Sequence, residues 1–267
     1  MSDVEAMKDR QRRVWGMGNY AVLARPIEPA ATALCDACAV SAGQEVLDVG
    51  AGTGNFAIAC AREGASVVAS DLSPVMVERG RARTEAEGYD VEWLEADVEA
   101  LPFEDGRFEC AASAFGAFLA PRPEVAAAEM FRVVRPGNTV GLTAWVPDGF
   151  FGQIMALGQR YAPPPEGVPA PQEWGDEATA RARLEGLAGH VEIERASVSL
   201  EADSPEAFAD EFTTNAPNSV AAREALPAER FEQLRSEVAG LAREWGGGDG
   251  PLAIEADYLV IVARKRG

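Results

Sequence analysis

Two periods of apolar residues alternate along the first half of the chain. Short apolar runs occur at residues 46–49, 66–70, 91–95, 108–112 and 139–145, and stretches with helical spacing fall between them at 55–63, 74–87 and 124–134. Strand-like runs alternating with helix-like runs predict βαβ units, and therefore a mostly parallel sheet with helices on both faces. Upstream, the alanine-rich stretch 29–40 reads as an amphipathic helix. Arg135-Pro136-Gly137 is expected to stop the helix before the fifth strand, because proline cannot continue it and glycine supplies the turn.

Beyond Trp145 the pattern changes. The proline-rich stretch 162–171 excludes helix and inner strand and reads as a semi-rigid surface loop, a lid or a linker. Residues 191–200 alternate as a sixth strand, and 256–264 form the most strand-like run of the chain, the seventh. Between them, 204–245 reads as helical, opening on the cap Ser204-Pro205-Glu206 and closing on Gly246-Gly247-Gly248. A block of that length is too long for a hairpin loop and is read as a helical cap inserted over the active-site edge of the sheet.

The chemistry concentrates where the first strand ends. Val46 to Gly54 reads Val-Leu-Asp-Val-Gly-Ala-Gly-Thr-Gly. Gly50, Gly52 and Gly54 allow positive φ and close backbone approach, and the helix starting at Asn55 offers free N–H groups. The dinucleotide fingerprint G-x-G-x-x-G would need glycine where Asn55 stands; here the third glycine comes one residue early, and Asp48 precedes the set. An acid at that place repels a pyrophosphate and suits a cationic ligand. The second strand ends in Asp71, where an acid can hydrogen-bond ribose hydroxyls, and the third leads to Ala96-Asp97-Val98.

The resulting D-x-G-x-G-x-G pattern resembles motif I of the class I S-adenosylmethionine (SAM) methyltransferases. Leu101-Pro102-Phe103-Glu104-Asp105-Gly106-Arg107-Phe108 resembles the "LPF-x-D-x-x-F-D" segment of their small-molecule members, including those of ubiquinone and menaquinone biosynthesis, with Glu109 in place of the usual Asp. Phe131 to Gly137 resembles the group's "L-x-R-V-L-K-P-G" ending. The resemblance covers roughly residues 39–145.

That resemblance implies a Rossmann-like, seven-stranded α/β fold with the seventh strand antiparallel between the fifth and sixth. It implies SAM as cofactor and S-adenosylhomocysteine as product. Asp71, with Leu72, would hold the ribose; Asp97 would accept from the adenine amino group, with Val98 against the ring. Asp48, Gly50, Ala51, Gly52, Thr53, Gly54 and Asn55 would form the cofactor loop, and Ser113 would lie on the same edge. Tyr20 joins the cofactor set on a segment that folds back over the cofactor in similar enzymes. The expected division is a helical lid segment at 1–40, a SAM-binding core at 41–146, and a C-terminal part at 147–267 that carries the cap.

Transfer of a methyl from a sulfonium is an in-line displacement in which positioning does much of the work, so no catalytic dyad is demanded. The single histidine, His190, is expected on a connection at the sheet end remote from the cofactor; Asp210 and Glu211 in the cap are alternatives, and no base is assigned. Trp15, Phe115, Phe118 and Trp145 are expected to line an apolar acceptor chamber.

Composition narrows the partners. Twenty-four Lys and Arg against 43 Asp and Glu leave a net charge of −19, which repels phosphate backbones, and the basic clusters at 8–13, 79–83 and 264–266 are short, so no nucleic-acid partner is expected; the charge does not choose the acceptor, which is expected to be a small molecule. No apolar run reaches the length of a membrane helix, and the polar N-terminal stretch carries no secretory pattern, so a cytoplasmic protein without a membrane partner is expected. Cys35, Cys38, Cys60 and Cys110 include one C-x-x-C pair without the histidines a zinc site needs, and read as structural thiols; no metal is expected. A monomer and a homodimer both remain open. The competing readings are a SAM-fold protein that catalyses another reaction or acts as a sensor, and an NAD(P)-linked oxidoreductase, which Asn55 and Asp48 oppose.

Overall fold

In the computed structural model, which describes residues 3–267, three helices precede the sheet: α1 (Asp3–Val14), α2 (Tyr20–Ala24) and α3 (Glu28–Ala37). The alternating half follows as β1 (Glu45–Val49), α4 (Asn55–Arg62), β2 (Ser66–Asp71), α5 (Pro74–Ala86), β3 (Val91–Glu95), β4 (Phe108–Ala114), α6 (Pro123–Val133) and β5 (Val134–Trp145). The remainder comprises α7 (Phe150–Tyr161), α8 (Glu177–Leu184), β6 (Ala188–Ala202), α9 (Pro205–Asn215), α10 (Pro217–Ala225), α11 (Ala228–Gly246) and β7 (Leu252–Lys265).

The seven strands form one sheet in the order β3-β2-β1-β4-β5-β7-β6. Strands β1 to β5 are parallel, and β7 runs antiparallel to both of its neighbours. The connections from β1 lead outward to β2 and β3, then return to β4 beside β1. The loops after β1 and β4 therefore diverge and open a crevice at their carboxyl ends, where ligands bind in open α/β sheets. Val46, Leu47 and Val49 of β1 are fully buried, as are Phe56, Ala57 and Ile58 of α4, so this crevice stands on the packed core. Each large apolar side chain buried in this way contributes roughly 1.5–3 kcal/mol.

Two boundaries differ from the sequence pattern. Arg135-Pro136-Gly137 lies inside β5: Val134 already pairs with Phe108, the register shifts, and pairing resumes at Thr139 with Cys110. Proline lacks the N–H that the ladder requires, Gly137 takes φ 79°, and ion pairs from Arg135 to Glu45 and Glu109 hold the irregularity in place. Strands β6 and β7 are longer than their apolar cores, because they pair with each other from Ala188 and Lys265 to Ala202 and Leu252, past the end of β5.

The cap sits on the end of that ribbon. Phe231, Leu234, Val238 and Ala242 give α11 a buried face, and it packs against α9 and α7. The proline-rich segment is a linker: it joins α7 to a short 3-10 turn, Pro171–Gly175, where Gly175 leaves no room for a Cβ against the Trp145 carbonyl.

Candidate cofactor site

Motif I turns sharply because its glycines are left-handed, with φ 63° at Gly50, 55° at Gly52 and 87° at Gly54. The β4 loop lies directly on it: a Cβ at Gly50 would come 3.0 Å from Gly116 Cα, and one at Gly116 would run into the Gly50 carbonyl. Phe115 is itself left-handed at φ 58°, and its amide donates to Thr143 Oγ1 at 3.0 Å. Backbone strain of this kind persists where the surroundings impose it.

Acids secure the loop. Asp71 Oδ2 accepts from the Gly52 N–H at 2.9 Å and Oδ1 accepts from the Ser73 N–H at 2.8 Å. Burial raises the Asp71 pKa, and these amides oppose the rise. Asp48, 1% exposed, accepts from the Ala57 N–H at 2.9 Å, and burial pushes its carboxyl up to about 8. Tyr20 stands over Gly52 and packs edge-on to Trp15, with ring centroids 5.3 Å apart. Burial, with the charge of Asp71 nearby, pushes its phenol up to about 12.

These groups border one pocket. Its walls include Asp48, Gly50, Ala51, Gly52, Thr53 and Asn55 from the first loop, Asp71 and Leu72 from the second, and Asp97 and Val98 from the third. Tyr20, Trp15 and Phe115 close it from above and beside. Thr53 Oγ1 is buried on this wall without a hydrogen-bond partner, a polar atom that a ligand carboxylate or amine would satisfy. Glycine amides that donate, an orphaned hydroxyl, and acids at three successive strand ends that accept form a set of partners that fits SAM.

Relatives place the chain. Residues 46–137 match the family model for a methyltransferase domain. The uncharacterized protein Rv1405c of Mycobacterium tuberculosis is 33% identical over 261 residues, which is 96% of this chain and 94% of that one. A demethylmenaquinone methyltransferase of Thermus thermophilus is 36% identical over 129 residues, covering 48% of this chain and 51% of its own. The crystal structure of a Bacillus halodurans protein described as a methyltransferase shares the fold at TM-score 0.63 with 21% identity, over 89% of this chain and 99% of that one.

The chain belongs to the class I SAM-dependent methyltransferases.

Within this methyltransferase fold several expected site residues do other work. Ser113 is fully buried off the pocket, where its hydroxyl donates to the Val49 carbonyl and accepts from the Ala117 N–H at 2.7 Å, tying β4 to β1. Gly54 also stands back, because it begins α4 and a Cβ there would come 3.0 Å from the Trp93 ring. Trp145 lies behind Phe115, stacked at 3.9 Å, and Phe118 is buried in the core; of the four aromatics expected in the chamber, only Trp15 and Phe115 reach the pocket. Asn55 borders the pocket, but its side chain is used in the scaffold, donating to the Ala24 carbonyl at 2.8 Å and accepting from Arg83 at 2.6 Å.

The candidate bases lie elsewhere. His190 is in β6 itself, exposed, 2.9 Å from Glu192 and paired in register with Arg264 at the end of the sheet remote from the pocket. Asp210 is a surface residue bonded to Arg235 at 2.7 Å, and Glu211 is exposed beside it.

The glycines of the N-terminal segment serve close packing. Gly16 lies against Val75, and Gly18 lies under the Asn215 carbonyl and accepts from Arg79 at 3.1 Å. The same segment supplies residues that sequence reasoning missed. Lys8 and Gln11 border the pocket from α1, and Gln11 donates to the Leu119 carbonyl at 3.0 Å. The three- and four-residue spacing of Lys8, Gln11 and Trp15 places them on one helix face, the only sequence signal that could have linked them.

Proposed function

We propose that this chain transfers a methyl group from SAM to a small, partly apolar acceptor. The observation that carries the reading is the glycine loop held by Asp71 at the crevice between β1 and β4, with the unpartnered Thr53 hydroxyl on the same wall. Asp71 would hold the ribose, Asp97 and Val98 the adenine, and Asp48 with the Gly50–Thr53 loop the methionyl end. When bound, SAM supplies an electrophilic methyl whose sulfur leaving group needs no protonation. Trp15 and Tyr20 would exclude water, and Phe115 would present an apolar face to the acceptor. Orientation and dryness are what a displacement of this kind requires.

The net charge of −19 disfavours a nucleic acid as partner. Among the described residues no helix is long and apolar enough to cross a membrane. Four free, buried cysteines fit the reducing cytoplasm we assign to the protein.

Calorimetry with SAM, S-adenosylhomocysteine and NAD tests the cofactor, and incubation with methyl-labelled SAM and a panel of small phenols, amines, thiols and activated carbon acids tests the reaction. Micromolar binding of S-adenosylhomocysteine and label transfer to one acceptor class are expected. Binding of NAD alone would overturn the reading, and SAM binding without transfer across the panel would point to non-methylating catalysis or sensing.

A further inference from the structure

Every residue of β5 from Thr139 to Trp145 is buried, so a polar side chain in that run needs an internal partner. Thr143 is fully buried and lies in register with Ala114 of β4. Its Oγ1 accepts the amide hydrogen of Phe115 at 3.0 Å, one residue past the end of β4. Phe115 is one of two non-glycine residues with positive φ among those described, at 58°, where a side chain crowds the backbone. The next two residues are fixed as tightly. Gly116 lies on the Gly50 turn with no room for a Cβ, and Ser113 Oγ accepts from the Ala117 N–H at 2.7 Å while donating to the Val49 carbonyl. Two buried hydroxyls, one from β4 and one from β5, hold residues 115–117 against the start of motif I.

A turn alone does not need this strain. Glycine at position 115 would take the same φ freely, as Gly50 and Gly52 do. What glycine lacks is the ring. Phe115 stacks on Trp145 with centroids 3.9 Å apart and planes 6° from parallel, and it meets Tyr258 edge-on at 5.5 Å. The surface it has left borders the pocket, beside Gly116 and Ala117. Relaxing Phe115 to negative φ would turn its Cα–Cβ bond and carry the ring off the Trp145 stack. Valine in place of Thr143 would fill the same volume but leave the Phe115 amide buried without its acceptor.

We infer that Thr143 is a positioning residue for the cofactor pocket: through the Phe115 amide it holds the ring in a strained backbone, where the ring walls the pocket and Gly116 stays pressed on the Gly50 turn. This inference rests on the cofactor reading above. It gives a residue that lies off the pocket control over the motif I loop, although β4 separates β5 from β1.

The test is calorimetry with S-adenosylhomocysteine on the parent, Thr143→Val, Thr143→Ser, Phe115→Gly and the double variant of Phe115→Gly with Thr143→Val. Each protein is titrated at a temperature where circular dichroism shows it folded. Thr143→Val should weaken binding about tenfold, and Thr143→Ser, which keeps the hydroxyl, should stay within about threefold of the parent. Phe115→Gly should also lose about tenfold, and adding Thr143→Val to it should change affinity by less than about twofold, because no ring is left to place. A Thr143→Val protein that is less stable yet binds like the parent would overturn the inference, since the hydroxyl would then only support the strand. Equal losses in the valine and serine variants, or losses that multiply in the double variant, would overturn it too. Should Thr143→Val fail to fold, Phe115→Gly decides: parental affinity refutes the placement of the ring, and a loss of about tenfold supports it. A parent that does not bind S-adenosylhomocysteine would sink the cofactor reading and this inference with it.

Discussion

The Asp71 carboxylate at the end of β2 accepts the amide hydrogen of Gly52 at 2.9 Å, so the acid read as the ribose ligand also holds the loop that receives the rest of the cofactor. Replacing Asp71 with alanine removes both functions. S-adenosylhomocysteine binding should weaken by about 1–3 kcal/mol for the charged hydrogen bonds lost, and more if the loop relaxes. Calorimetry on a variant shown by circular dichroism to be folded checks this, and parental affinity would remove Asp71 from the site.

Gly52→Val should be more damaging. The backbone there has φ 55°, which a β-branched residue strongly disfavours, and a Cβ would stand 3.5 Å from the Tyr20 ring, in the gap between loop and cover. Cofactor binding should fall below detection in a titration to millimolar ligand. Ordinary affinity would show that the gap is not where the cofactor lies.

Asp48 makes stability depend on pH. Its carboxyl ionises near 3.8 in the unfolded chain and at about 8 in the folded one, so between those values the native state holds a proton that the unfolded state has lost. Stability contributed by this group is therefore greatest below about pH 4 and declines as pH rises through 8. Asp48→Asn keeps an acceptor for the Ala57 amide and removes the titration. Urea midpoints at pH 5.5 and 8.5 should differ more in the parent than in the variant, and equal slopes would refute the assignment.

Gly80 on α5 faces the Trp93 ring so closely that a Cβ would overlap its atoms, and Trp93 is held by its indole donating to Thr84 Oγ1 at 3.1 Å. Gly80→Ala should therefore destabilise the fold by about 1–3 kcal/mol through overpacking, despite alanine's better helix propensity. Chemical denaturation measures it; a stabilised variant would mean that the ring can shift freely.

Trp15 and Tyr20 cover the pocket from a segment that lies outside the sheet. Amide hydrogen exchange over residues 15–20 should slow when S-adenosylhomocysteine is added, because the cover then closes on a ligand. Unchanged exchange would make both rings packing residues only.

The pattern of apolar runs determined the order of strands and helices, and motif I with Asp71 and Asp97 determined where along the chain the site lies. These signals are legible because they are local: a strand, its glycine turn and its terminal acid are contiguous, and their chemistry follows from spacing alone. What the fold decided are the relations between distant segments. Ser113 and Phe118 sit beside site residues in sequence but turn into the core, because Ser113 is needed to tie β4 to β1 and the following short helix buries Phe118. Trp145 reaches the right edge of the sheet, yet Phe115 stacks in front of it. Lys8 carries no motif, and only the docking of α1, whose Arg12 pairs with Glu95 at the end of β3, places its ammonium against Asp97, 89 residues away. Side-chain direction and long-range proximity depend on packing of the whole sheet, which no window of sequence contains.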